Sequence, residues 1–298
     1  MVVKHTNLKK TQSMTMTYFK ITPYLIWIVL SHLSIKAFAQ ITIDAPQTHS
    51  LLYLGQGNQQ PLIVGLGGSE GGNAWASNHW RTTRQQLIKK GYAFLAIGYF
   101  GSKGIPQKLD QIAIEKVYNA IRKAAKHPKV NPSKIAIIGG SRGGDLALLL
   151  GSYYPDISCI VAIVPSHVVF PGHTNHLTSS CWTYQNKALP FVPVSEESIP
   201  FLVKKDLRGA FVTMLKNTNA EKKAVIKVEK IKGPILFISA IQDEIAPTTL
   251  MCEKMVHRLK AKKFPFYFKH IAIQGKHGAP LKNLNEVFAF LQKQFPVK

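Results

Sequence analysis

A serine among glycines, an aspartate just past one apolar run and a histidine just past the next are the residues of this 298-residue chain that could do chemistry together. Gly139-Gly140-Ser141-Arg142-Gly143 reads G-x-S-x-G, entered from KIAII at 134–138 and left through DLALLLGSYY at 145–154. That strand, sharp turn and helix are the context a nucleophilic serine requires, because the turn holds the hydroxyl out at the end of the strand. The glycines suit a turn in which the neighbouring chain leaves no room for side chains. A Gly-rich turn that cradles phosphate, or nothing, is the alternative.

A serine hydroxyl is a weak nucleophile and needs a base, which in turn needs an orienting acid. Asp243 directly follows PILFIS (234–239), and His277 lies in the loop after FYFKHIAI (266–273), so the chain order is Ser, acid, His. Glu244 is the rival acid and His270 the rival base, although His270 lies inside the run. The developing oxyanion needs two backbone amides. One is expected from Arg142, directly after the serine, at a helix N-terminus that favours negative charge. The other is expected from Ser69 or Glu70, in the loop Gly67-Gly68-Ser69-Glu70-Gly71-Gly72. The lysine of a phosphate-binding P-loop is missing from that stretch. His173 and His176 have ligand-like spacing but no evident third ligand, so no metal is expected, and no cofactor motif is found. Trp182 and Tyr184 are expected to line a substrate pocket, with plain packing as the alternative.

These groups need a scaffold that gathers strand ends. Short apolar runs at 61–66, 92–97, 134–138, 157–164, 234–239 and 265–273 alternate with stretches of helical character at 74–90, 109–124, 142–153, 248–261 and 283–294. Runs that are apolar throughout belong to strands covered on both faces, and strands alternating with helices make a mainly parallel sheet. The expected class is α/β, an α/β-hydrolase fold with a mainly parallel sheet, helices on both faces and an irregular cap segment. The cap is placed at residues 166–206, which are rich in Pro, Ser, His and aromatics without a period.

Residues 1–39 read differently. A lysine-bearing start without acids, an apolar run at 21–33 and Ala37-Phe38-Ala39 make a secretory signal peptide, cleaved after Ala39. The run falls short of the ~20 residues that cross a bilayer. Residues 40–298 are then a single domain of an exported protein, periplasmic or secreted. Lys and Arg exceed Asp and Glu by 23 in the whole chain and by 18 in residues 40–298. Such charge attracts polyanions, including anionic membrane surfaces, but it is spread along the chain and marks no specific nucleic-acid partner. Three cysteines allow no disulfide framework.

From about Pro61 onward the chain resembles the C-terminal catalytic domain of the acyl-CoA thioesterase and bile-acid-CoA:amino-acid N-acyltransferase family. The resemblance is carried in order by GYAFLAIGYFGSKGIP, IIGGSRGGDLALLLGSYYP, IVAIVPSHVVF, SSCWTYQNKALPFVP, KVEKIKGPILFISAIQDEIAP and GKHGAP. The dienelactone-hydrolase-like branch of the same fold is a looser match, mainly through GGSEGG. The resemblance implies a triad of Ser141, Asp243 and His277. Acyltransferase members look to use a cysteine nucleophile, so a serine here implies transfer to water. Family members carry an N-terminal β-sandwich, for which residues 40–60 are too few, and acyl-CoA is cytosolic, whereas this chain reads as exported. The expected activity is therefore a serine acyl hydrolase acting on a small acyl ester or thioester. The alternatives are acyl transfer to an amine and a catalytically silent basic binding protein.

Overall fold

Eight strands make one sheet in the order β1-β2-β4-β3-β5-β6-β7-β8. They are β1 (Ala39–Ile43), β2 (His49–Leu54), β3 (Gln60–Leu66), β4 (Ala93–Gly98), β5 (Val130–Gly140), β6 (Cys159–Ile163), β7 (Ile235–Ala240) and β8 (Phe268–Ile273). β2 runs antiparallel to both neighbours, and β4, β3, β5, β6, β7 and β8 are mutually parallel. The computed structural model describes residues 1–2, 39–282 and 284–297. The described residues 39–282 and 284–297 belong to one unit. The expected leader, except Met1, Val2 and Ala39, lies outside the described residues.

The α/β-hydrolase architecture read from the sequence is the one observed. β3, β4, β6 and β7 are buried along their whole length, as expected of strands covered on both faces. One face carries α2 (Ile114–Ala125), α3 (Arg142–Tyr153) and α7 (Thr248–Ala261), whose Val117, Leu146, Leu150, Met255 and Leu259 pack with Leu62, Val64, Leu95 and Phe237. The other face carries α1 (Arg81–Lys89) and α8 (Asn285–Gln294), whose Leu87, Ile88, Val287 and Leu291 pack with Ile63, Phe94, Ile138 and Val161. Each fully buried Leu, Ile or Phe contributes about 1.5–3 kcal/mol relative to exposure, so two such layers hold the parallel strand ends in place.

Some local expectations change. Residues 40–60 supply β2 and most of β1, the antiparallel edge of the sheet. The helix expected over 74–90 is two pieces, a 3₁₀ turn at Ala74–Ala76 and α1. Arg84 on α1 donates to the carbonyls of Trp75 and Ser77, which pins the break. The stretch expected to be irregular is partly ordered. Ile112–Ala113, Trp182–Tyr184 and Lys187–Ala188 form a small separate sheet. Beyond it come α4 (Ile199–Val203), α5 (Leu207–Met214) and α6 (Thr218–Ala224). Asp206 and Asn217 are side-chain N-caps, accepting from Gly209 N at 2.8 Å and Ala220 N at 3.0 Å. Among the described residues no helix is long and apolar enough to cross a membrane. Cys159, Cys181 and Cys252 are buried free thiols.

Candidate active site

Ser141 sits between the end of β5 and the start of α3 with φ 53° and ψ −123°, a conformation rarely adopted by a side-chain-bearing residue. The strain is offset locally, because Ser141 N donates to Ile163 O at 2.8 Å and its carbonyl accepts from Gly144 N at 2.8 Å. The flanking glycines are required by space. A Cβ at Gly139 would lie 2.0 Å from Gly143 O, and one at Gly143 would lie 2.4 Å from the carbonyls of Leu66 and Gly67. The turn is thus wedged between its own helix and the end of β3.

The loops after β7 and β8 bring Asp243 and His277 to this turn. His277 Nε2 is 3.0 Å from Ser141 Oγ, and His277 Nδ1 lies 2.9 and 2.8 Å from the two Asp243 carboxylate oxygens. An ionised carboxylate can only accept, so Nδ1 carries the proton and Nε2 is left to accept from the serine hydroxyl. Asp243 is 1% exposed. Its Oδ1 accepts from the amides of Ile245 and Ala246, and its Oδ2 accepts from Thr248 Oγ1 at 2.7 Å. Burial alone would raise this carboxyl, but the hydrogen bonds from His277 and Thr248 hold it below its ordinary value. Glu244, the rival acid, does not meet the ring; its Oε2 accepts from the backbone N of His277 at 2.9 Å. His270, the rival base, lies on β8 with Nε2 2.8 Å from Ser239 Oγ.

The Gly-rich loop after β3 presses against the serine. A Cβ at Gly68 would lie 3.1 Å from Ser141 Cβ. Gly68 N is engaged by the Glu70 carboxylate at 3.0 Å. Arg142, Ser69 and Glu70 all border the cavity beside Ser141, and their amides take no backbone partner among the described residues. Tyr99 Oη donates to Gly67 O at 2.6 Å and holds the loop from beneath.

That cavity measures about 500 Å³. Phe170, Leu177, Val194 and Leu202 reach it from the expected cap segment. Leu207, Ala210, Phe211 and Met214 on α5, and Trp75 and Trp80 from the loop before α1, complete its apolar wall. The two tryptophan rings stack at 4.3 Å. These two and the α5 residues were not anticipated. The local signals for α5 are the N-cap at Asp206 and the helical spacing of Leu207, Ala210, Phe211 and Met214.

Trp182 and Tyr184 require a correction, because neither borders the cavity. Trp182 is fully buried in the core on the α3 side of the sheet, its ring 5.9 Å from Tyr99. Tyr184 packs 4.6 Å from the Tyr153 ring. Pairing of Trp182 with Ile112 turns its side chain toward the domain core instead of the pocket, and Tyr184, two residues on, packs on the same core. His173 borders the cavity, but among the described residues no three His, Cys, Asp or Glu side chains converge on a metal-sized site.

A buried ion pair was also missed. Arg142 Nη1 lies 3.5 Å from Asp145 Oδ2, and Asp145 Oδ1 accepts from Ser166 N at 2.6 Å. The guanidinium sits over Phe170 and Phe211, with centroids at 5.8 and 5.9 Å. Burial outweighs the attraction of Arg142 and pushes the Asp145 carboxyl up to about 7. Asp145 thus ties the elbow helix to the first residue of the cap. Arg208 on α5 ties the cap to the acid loop, donating to Asp243 O at 2.7 Å.

Residues 112–275 match the family described as BAAT / Acyl-CoA thioester hydrolase C terminal. The chain belongs to that family. Residues 52–159 also match a family described as BD-FAE. Among curated proteins, the mouse acyl-coenzyme A amino acid N-acyltransferase 1 is 26% identical over 176 residues, covering 58% of this chain and 39% of that protein. The mouse peroxisomal succinyl-coenzyme A thioesterase is 28% identical over 178 residues, covering 57% and 39%. Human mitochondrial acyl-coenzyme A thioesterase 2 is 27% identical over 177 residues, covering 59% and 35%. The matches thus span under half the length of these three relatives. Among solved structures, the Pyrococcus furiosus esterase Pf2001 aligns with a TM-score of 0.57 at 15% identity, covering 93% of this chain and 98% of that one. A Mycobacterium tuberculosis puromycin-hydrolyzing peptidase aligns with a TM-score of 0.60 at 15% identity, covering 89% and 40%. At such identities the likeness is one of fold, and the fold is the α/β hydrolase.

Proposed function

We propose that the chain is a serine acyl hydrolase that cleaves a thioester or carboxylic ester through an acyl-enzyme intermediate. The observation that carries this reading is the hydrogen-bonded line Ser141 Oγ, His277 Nε2, His277 Nδ1, Asp243 carboxylate, opening into an apolar cavity of about 500 Å³. Ser141 Oγ attacks the acyl carbonyl while His277 Nε2 takes the hydroxyl proton, and Asp243 steadies the resulting imidazolium. The oxyanion is received by amides among Arg142, Ser69 and Glu70. His277 returns the proton to the departing thiolate or alkoxide. Water, deprotonated by the same ring, then releases the acid and restores the serine. The cavity wall of Trp75, Phe170, Leu202, Phe211 and Met214 suits an aliphatic or aromatic acyl group. The relatives named as thioesterases support a thioester, and the esterase-like fold supports an ester. We further infer from residues 1–39 that the protein is exported.

The test is a hydrolysis screen of p-nitrophenyl esters and acyl-CoAs with wild type and Ser141→Ala. Ser141→Ala is expected to lose kcat by on the order of 10⁵–10⁶-fold, because binding and the amide donors alone remain. Full activity in purified Ser141→Ala would overturn the mechanism. Repeating the screen with amine acceptors present distinguishes hydrolysis, which yields the free acid, from transfer, which yields an amide.

A further inference from the structure

We propose that α4 and α5 form a docking face for an anionic lipid bilayer at the mouth of the cavity. This goes beyond hydrolysis itself and does not depend on Ser141 being a nucleophile. α4 (IPFLV) has no buried residue. Ile199 is 48% exposed, Val203 76% and Val212 43%, and Phe201 and Leu207 are also exposed. Leu202 and Leu207, interleaved with these residues, line the cavity. The segment therefore has apolar side chains directed both ways: into the acyl-sized cavity and out to solvent. A cap needs only the inner set to close its pocket. The outer set is a cost in water unless a partner covers it.

Charge selects the partner. Exposed Lys204 and Lys205, with Asp206, join α4 to α5, Lys216 follows α5, and exposed Glu196 and Glu197 precede α4, so the attraction draws on the surplus of the wider surface. Residues 40–298 carry a surplus of 18 Lys and Arg over Asp and Glu. A second copy would bring the same sign of charge to the face, and the two would repel. An anionic bilayer offers both what the side chains need, an apolar layer to receive Ile199, Phe201 and Val203, and what the lysines need, a negative headgroup plane. Docking in that pose would put the cavity mouth at the membrane surface, where acyl chains are concentrated.

The test is co-sedimentation of the full chain with vesicles of mixed phosphatidylglycerol and phosphatidylcholine, and with vesicles of phosphatidylcholine alone. Wild type is expected to bind the anionic vesicles and to be released by salt, since exposed charges are screened. The doubles Ile199→Asp/Val203→Asp and Lys204→Glu/Lys205→Glu should each weaken binding by roughly tenfold or more. Both should hydrolyse a soluble short-chain ester like wild type, because none of these four side chains borders the cavity. Comparing variants within the same chain separates this face from the apolar run at residues 21–33, which they share. Absence of wild-type binding, equal binding to the neutral vesicles, or variants that bind like wild type would each overturn the proposal. So would a dimer that the substitutions dissolve, which assigns the face to a second copy. Ser141→Ala should bind vesicles like wild type, so failure of docking and failure of the hydrolytic reading are told apart.

Discussion

Asp243 and Glu244 are adjacent carboxylates with different tasks, and the geometry ranks them. Asp243 meets the imidazole of His277, whereas Glu244 meets only its backbone amide. Asp243→Asn should lower kcat by roughly 10³–10⁴-fold through loss of tautomer control, while Glu244→Gln should cost far less. Rate measurements giving the reverse ranking would assign the acid to Glu244. Asp145 makes a prediction of unusual sign. An unfolded aspartate ionises near pH 4, but in the fold this carboxyl is pushed up to about 7. Between those values the folded state holds the extra proton, so the contribution of this group to stability is present at low pH and is lost as pH rises. Melting curves of wild type and Asp145→Asn should therefore show a stability difference that shrinks from about pH 4 to about pH 7. A difference independent of pH would mean that the carboxylate stays ionised against Arg142 throughout.

The cap helix α5 and the short strand at Trp182–Tyr184 both carry aromatics, yet they do opposite work. Phe211 on α5 borders the cavity and packs 4.5 Å from Phe170. Trp182 is sealed in the core beneath Tyr99, which holds the Gly67 carbonyl. Phe211→Ala should shift the ratio of kcat/KM between short and long acyl esters by roughly tenfold with modest loss of stability. Trp182→Ala should cost about 3–5 kcal/mol of stability and leave the chain-length profile nearly unchanged. Activity profiles and melting temperatures of the two variants check this together, and interchanged behaviour would return Trp182 to the pocket. The assignment of Trp182 from sequence failed because an aperiodic segment carries no information about which way its side chains face. That direction was set by pairing with Ile112–Ala113, far away in the chain.

At the scale of the whole molecule, the basic balance and the leader-like start make one prediction about place. Cleavage after Ala39 would leave Gln40–Ile43 to pair with β2, a register in which Gln40 faces Tyr53. N-terminal sequencing of protein from its native host should begin at Gln40. An intact start on a cytosolic protein would refute export and favour acyl-CoA as the natural substrate. Ties from the cap to the catalytic frame include Ser166 to Asp145, Arg142 to the Pro171 carbonyl and Arg208 to the Asp243 carbonyl, so its placement and that of the acid loop are linked.

Much of this molecule is legible in its amino-acid sequence. Apolar strands ending in loops, a glycine-flanked serine and an aspartate and histidine in the right order determine the α/β-hydrolase sheet and single out Ser141, Asp243 and His277, because period, turn sterics and chain order are local properties. The α3 and α7 boundaries likewise follow directly from helical spacing. Only the tertiary structure gives Glu244 its task, an acceptor for the His277 backbone amide and not for the ring, since adjacent residues differ in which way a tight turn aims them. Only it revealed the burial of the Arg142–Asp145 pair, whose i,i+3 spacing is local, and the wall built by Trp75, Trp80 and α5, which are distant in sequence and meet only once the sheet has brought its strand ends together.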